Sequence, residues 1–344
     1  MTGVSDNLDR LSCWLGDGRI QDAEGGIFSW CDHRFSPSYV YPEVSGYLLT
    51  VLASGILPLG HIRERALRCA EFLKSRVRAG QLGARPSEET VIYNFDQAMI
   101  ATGLMRAHAR LGADTLAEGL ELADLLREQI MKERFLPTLC AKGTVPERGE
   151  KWSTVGTLHL AKCTQALLLA GEHGLERANE AAHLLAGHTL AQLRSMDQPY
   201  TCPGSPEIHL HAVLYCAEGM WIHGKATGAR SALDCSEELL KYVLAQMDRS
   251  GALTATIGGS VHAPEQGDVA AQVLRLALLH RMPKDIVGLI YARLCRFFRA
   301  REAWTVVEYQ VGSDHYNTWA TIFAAQACSL MCHPGIDFDW RDFA

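Results

Sequence analysis

Apolar residues along this chain recur mostly at the three-to-four spacing of α-helices, and few stretches alternate as strands do. Two helical patterns take turns. In the first, apolar residues run nearly all round. Residues 95–111 (Phe-Asp-Gln-Ala-Met-Ile-Ala-Thr-Gly-Leu-Met-Arg-Ala-His-Ala-Arg-Leu) are an example, and such a helix must be buried on most sides. In the second, typified by 114–131, Leu116, Leu120, Ala123 and Leu126 make a stripe opposite Glu118, Glu121, Asp124 and Glu128. That helix covers a core from outside. Apolar-rich helices are predicted to begin near Pro42, Asn94, Thr154, Glu207, Asp268 and Asn317. Amphipathic partners follow near 60–78, 114–131, 175–194, 230–248 and 283–299.

The alternation has a period. Gly46, Gly103, Gln165, Gly219, Gln272 and Gln326 mark the middles of the apolar helices, at steps of 57, 62, 54, 53 and 54 residues. Regular self-similarity of this kind signals a repeat architecture. Six inner helices need six covers, and only five follow their partners. The sixth is expected from Ser5–Leu15, where Leu8, Leu11 and Leu15 form a short stripe. Pairing that helix with the last inner helix, about 317–332, closes a ring. The expected fold is therefore all-α: a single (α/α)6 barrel over residues 1–344, with short strands only in the mouth loops. An open helical solenoid is the alternative.

Composition changes this picture little. By length alone, 344 residues suggest two domains, whereas the repeat uses the whole chain in one ring. Hydrophobic residues make up 48% and charged residues 21%, which excludes disordered and collagen-like chains. A net charge of −6 argues against a nucleic-acid partner, because such proteins carry a basic excess. The N-terminus has no basic-then-apolar leader, and the longest apolar run, Gly46 to Gly60, is interrupted by Thr50, Ser54 and Pro58, short of the ~20 residues of a membrane span. Eleven scattered cysteines without a Cys-x-x-Cys pair read as reduced, packed thiols. The expectation is a cytoplasmic protein.

Connections from inner to outer helices are short and plain. Those from outer to inner are long and rich in polar and aromatic residues. They include Gly25 to His33 running on to Tyr41-Pro42-Glu43, Tyr93-Asn94-Phe95-Asp96, Lys151-Trp152-Ser153-Thr154 and Glu207-Ile208-His209-Leu210-His211. The last two are His262 to Asp268 and Asp314 to Trp319. In a closed ring all six lie on one face, with the N-termini of the inner helices. Free N–H groups and positive dipole ends gather there, so a polar, aromatic-lined cup for a hydroxyl-rich or anionic ligand is expected. Strand-like pieces at Thr90–Tyr93 and Thr305–Val311 are expected to rim it.

The segments Gly-Gly-Ile-Phe-Ser-Trp (25–30), Tyr-Pro-Glu-Val-Ser-Gly-Tyr (41–47) and Asn-Phe-Asp-Gln (94–97) with Thr-Gly-Leu (102–104) carry a resemblance. So do His-Leu-His-Ala-Val-Leu-Tyr-Cys-Ala-Glu-Gly-Met (209–220) and Asn-Thr-Trp-Ala-Thr-Ile-Phe-Ala (317–324). In order and spacing, over most of the chain, they resemble the six-hairpin glycosidase-like superfamily. The resemblance implies a sugar-like substrate without fixing the reaction, since that superfamily includes glycoside hydrolases, sugar epimerases and uronate-type lyases.

The candidate catalytic residues are Glu43, Asp96, His211 and Tyr215. Glu43 sits where a helix end favours the anion, which suits a base or hydroxyl acceptor more than an acid; plain capping is the alternative. Asp96 is the best second carboxylate for a flanking pair, though Asn94 to Gln97 also reads as a capping box. His211, Tyr215 and Glu218 share one helix face at i, i+4 and i+7, so His211 is either an acid/base group or a satisfied core histidine. His159, with Lys162 one turn on, sits at comparable depth. Trp30, Tyr41, Trp152, Tyr316 and Trp319 are mouth aromatics that stack on sugar faces or plug the barrel. Asp32, His33, Tyr93, Lys151, His209, His262, Glu265, Asp268, Asp314, His315 and Asn317 complete the expected binding set. Cys328, Cys332 and His333 fall at the wrong end for a zinc centre, so no metal or cofactor is expected. Hydrolysis of a glycosidic bond by mouth carboxylates is the leading expectation. A His/Tyr epimerase, isomerase or lyase is the first alternative, and a non-catalytic glycan-binding or scaffold barrel the second. The partner is a small-molecule or oligosaccharide substrate; the oligomeric state is left open.

Overall fold

The computed structural model describes residues 2–57, 62–83, 85, 90–140, 152–202, 205–259 and 263–344. Its inner helices are α2 (Pro42–Ser54), α4 (Asn94–Leu111), α7 (Thr164–Glu172), α9 (Leu210–Thr227), α11 (Gly267–Leu279) and α13 (Thr318–Cys332). Each packs on the next, and α13 packs back on α2. The ring is closed, as an (α/α)6 barrel requires, and the solenoid is excluded. The covering helices are α1 (Thr2–Leu15), α3 (Ile62–Ala79), α5 (Leu116–Glu133), α8 (Ala178–Arg194), α10 (Arg230–Leu244) and α12 (Lys284–Leu294). Among them α1 lies against α13. The single-turn α6 (Trp152–Val155) sits in a mouth connection.

Sequence chemistry explains how closely the ring closes. Gly46 and Gly103 bring the backbones of α2 and α4 together: a Cβ on Gly103 would stand 2.7 Å from the Gly46 carbonyl oxygen. Gly219 does the same for α9 against the third inner strut, where a Cβ would lie 2.2 Å from the Ala161 carbonyl carbon. Three repeat markers are therefore places where only a missing side chain lets helices touch. The strut itself differs from expectation. An α-helix from near Thr154 is replaced by a 3-10 stretch, Leu158–Cys163, that leads into α7. Gly156 breaks the run, tucked against the carbonyls of Trp152 and Thr201.

The strands are short and belong to the mouth connections. β1 (Trp30–Cys31), β4 (Phe298–Ala300), β5 (Thr305–Glu308) and β6 (Tyr316–Asn317) form an antiparallel sheet in the order β1-β6-β5-β4. β2 (Ile208–His209) pairs with β3 (Thr256–Ile257). The expected strand at Thr90–Tyr93 is reduced to a single bridge between Tyr93 and Leu139. Asn94 is not a cap: Tyr93 holds the N-cap position of α4, and the Asn94 amide donates instead to the Pro137 carbonyl at 2.8 Å. The capping-box reading of 94–97 is thereby corrected.

Candidate functional site

The first turn of each inner strut aims one side chain at a common point. Glu43, His211, Asp268 and Trp319 are the second residues of α2, α9, α11 and α13; His159 is the second residue of the 3-10 stretch, and Asp96 the third of α4. They enclose a cavity of about 510 Å³, the size of an ordinary small-molecule site. Tyr41, Tyr93, Trp152, His209 and Tyr215 also line it, as expected. Phe95, Ser153, Glu207 and Tyr309, from the expected mouth and rim segments, line it without having been singled out as site residues, and Tyr39 and Arg85 line it unanticipated. A larger hollow of about 720 Å³ lies at the opposite end, beside α1 and the last turns of α2 and α13. Its walls are mostly apolar, and the titratable groups converge on the cup instead.

Glu43 and Asp96 meet through one phenol. The Tyr41 hydroxyl donates to Asp96 Oδ2 at 3.1 Å and also interacts with the Glu43 carboxyl. Burial pushes Glu43 up to about 7, against the pull of Tyr41 and of the more distant charges on Lys162 and Arg85. Glu43 therefore titrates near neutrality, holding its proton well above the ordinary carboxylate range. This corrects the sequence argument that a helix end would keep it anionic: the desolvation cost outweighs the dipole. A phenol has one proton, and Tyr41 gives it to Asp96. The two carboxyls therefore share one phenolic donor, which favours the ionised form of whichever carboxyl it faces. The Tyr47 hydroxyl approaches Glu43 and Tyr215 but, among the described residues, closes no hydrogen bond.

His211 is held from behind by a chain of defined polarity. Its Nδ1 lies 2.7 Å from Gln272 Oε1 and 3.6 Å from Asp268 Oδ2. The Gln272 amide nitrogen donates to Glu218 Oε1 at 3.2 Å. A carboxylate only accepts, so the amide nitrogen must face Glu218 and its oxygen must face the ring. Both neighbours of Nδ1 are then acceptors. The neutral imidazole carries its proton on Nδ1 and leaves the Nε2 lone pair unprotonated. Burial holds His211 below the ordinary imidazole range, although Asp268 and Glu218 pull it back up. His159, more deeply buried and facing His211, falls to about 3. Trp152 sits among the histidines, its ring 5.1 Å from His159, 5.7 Å from His211 and 6.2 Å from His209. The Tyr215 ring lies 4.3 Å from His211.

Eight expected binding residues lie elsewhere, and each has a local reason. Trp30, on β1, packs tilted against His315 with ring centres 4.4 Å apart, and His315 in turn packs behind the cup wall on Tyr309 and Trp319. The Asp32 carboxylate accepts the Arg34 and Ser36 N–H groups and so closes a turn. His33 and Asp314 face each other at 3.4 Å in solvent. Glu265 is clamped by the Arg293 guanidinium. Tyr316 points into an aromatic cluster with Phe35. The Asn317 side chain caps α13, accepting from the Ala320 N–H at 2.8 Å. With His315 these are corrections: pairing of β1, β5 and β6 turns that part of the mouth away from the cavity. Lys151 and His262 lie outside the described residues.

Beneath the cup runs a buried ionic layer that sequence reasoning did not assemble. Glu218 accepts from Lys162 Nζ at 2.7 Å and from Arg275 at 2.5 Å, and all three side chains are buried. Their signal was present: a charge in the middle of a helix that is apolar all round.

No family model matches the chain, and no curated protein matches its sequence. Solved structures match over nearly its whole length. An unsaturated glucuronyl hydrolase from Bacillus sp. GL1 superposes with a TM-score of 0.71 at 14% identity, covering 98% of this chain and 97% of that one. A sugar epimerase from a ruminal bacterium gives 0.72 at 14%, covering 98% and 99%. A D-mannose isomerase gives 0.71 at 13%, covering 96% and 97%. Identities this low carry the fold alone. By fold, the chain is an (α/α)6 barrel like these enzymes.

Proposed function

We propose that the cup binds a carbohydrate and cleaves a glycosidic bond, with Glu43 as the acid and Asp96 as its carboxylate partner. One observation carries the reading: a single tyrosine hydroxyl lies between two carboxyls at the cavity wall, and burial pushes one of them, Glu43, up to about 7. Glycoside hydrolysis needs that division of labour, one group giving a proton to the leaving oxygen while the other acts as nucleophile or activates water. Trp152, Tyr39, Tyr309 and Trp319 supply faces for sugar rings, and the sugar-processing neighbours share the fold. Glu43→Gln and Asp96→Asn are each expected to lower turnover of a hydrolysed glycoside by about 10²–10⁴-fold, measured on a panel of synthetic glycosides. Unchanged turnover in both variants overturns the assignment.

A second reading has its own support. His211 presents an unprotonated Nε2 to the cavity, across Trp152 from the neutral His159. A base and a second imidazole in one small pocket suit proton abstraction and return next to a sugar carbonyl, hence epimerisation or isomerisation. Solvent deuterium in recovered free sugar, lost in His211→Asn, is the result that favours this reading over hydrolysis.

A further inference from the structure

The end of the described chain does not lie on the surface. Residues 338–344 enter the barrel axis from the end opposite the cup, and Phe343 and Ala344 are each only 1% exposed. The inner helices read this segment by its backbone. Gln165 Nε2 donates to the carbonyls of Trp340, Arg341 and Phe343 at 3.1, 3.3 and 2.8 Å. Gln326 Nε2 donates to that of Asp342 at 2.7 Å, and Arg106 pairs with the Asp342 carboxylate. Both glutamines are repeat markers, Gln165 at the start of α7 and Gln326 in the middle of α13, and the segment gives them their partners.

The segment also completes the ionic layer. Lys162 Nζ donates to the Ala344 main-chain oxygen at 2.8 Å, and Arg275 donates to the same oxygen at 2.5 Å. The Phe343 ring lies 5.2 Å from Lys162 Nζ and 4.7 Å from the Arg275 guanidinium carbon, where a ring face attracts a cation. These two cations hold Glu218, Glu218 orients Gln272, and Gln272 orients His211.

We propose that residues 338–344 form a positioning element for the cup. By satisfying and shielding Lys162 and Arg275, the segment holds Glu218 and Gln272 in the arrangement that fixes the His211 tautomer. A barrel without it would admit water to the axis, free both cations to turn, and release the amide that reads Nδ1. The proposal rests on the cup being an acid–base site, but its test needs no turnover.

The test is nitrogen-15 histidine NMR on the full chain, for the wild type, Phe343→Leu and Gln165→Ala, with Arg341→Ala as control. Arg341 belongs to the same segment but pairs with Glu172 near the surface. His211 faces Asp268 from α11, Glu218 from its own helix, His159 and Lys162 from the third strut, and His209 from β2. None of these groups is altered. The wild type and Arg341→Ala should show one Nδ1–H tautomer titrating below the ordinary imidazole range. Phe343→Leu and Gln165→Ala should show mixed tautomers and a midpoint raised by about one pH unit, a tenfold change in proton affinity, with cooperative unfolding retained. Folded variants with an unmoved His211 overturn the proposal. Loss of folding in both also overturns it, because the segment is then core and not a positioning element. If His211 shifts as expected and no sugar is turned over, the positioning role stands and the proposed function falls.

Discussion

The two ends of the barrel are built from the same six struts and solve opposite problems. At the cup end, helix N-termini converge and leave a cavity walled by carboxyls, imidazoles and aromatic rings. Farther down the axis, buried charge is matched by charge: Lys162 and Arg275 enclose Glu218, and a folded-in segment occupies the remaining space. Both regions are desolvated. In the axis, direct ion pairs offset the cost, whereas in the cup His159 stays neutral and Glu43 keeps its proton up to about pH 7. The difference teaches where chemistry is available, since a group that titrates near neutrality can pass a proton and a locked ion pair cannot.

Removing one member of the axial layer should break the contrast most severely. Glu218→Ala strands two buried cations and should cost about 3–5 kcal/mol, read by urea unfolding; a loss under about 1 kcal/mol would mean the layer is hydrated. Next comes the closest crossing of the ring. Gly219→Ala puts a methyl group onto the backbone at Ala161 and should cost roughly 3 kcal/mol, seen as a lower melting temperature. Stability against pH then separates these two groups of the cup. His159 binds its proton less readily folded than unfolded, so stability falls as pH drops below about 6.5, by about 2 kcal/mol at pH 5. Glu43 binds its proton more readily folded, so its contribution falls as pH rises from about 4.5 to about 7. His159→Phe should remove the acid slope and Glu43→Gln the opposite one, in denaturation series from pH 4 to 8; slopes unchanged in both variants would contradict the assignment. The smallest effect belongs to the rim: His33→Ala, which deletes an exposed pair with Asp314, should change stability by less than about 1 kcal/mol.

Much of this contrast was legible in the sequence. Helices that are apolar all round and those with one wet face sort themselves into inner and outer layers, because burial acts on each turn separately. Glu43, Asp96, His211 and Asp268 were found because they open apolar helices. What escaped depends on contacts distant in sequence. The β1–β6 pairing decides that Trp30 and Tyr316 turn from the cavity, and no local pattern announces it. Arg85 sits in a loop without periodicity. Gln272 was visible as a repeat marker, yet its role needs both Glu218 and His211 in place. The protonation of Glu43 was misjudged because a helix end is local and visible, while the walls that desolvate it come from other struts.

The central claim is that the cup holds a carboxyl that titrates near neutrality beside a second carboxyl. Carbon-13 NMR titration of the Glu43 side-chain carboxyl in the full chain tests it without a substrate. A midpoint near 7 that moves when Asp96 is changed to Asn is the expected result. A midpoint in the ordinary glutamate range, near 4.5, indifferent to Asp96, would contradict the account.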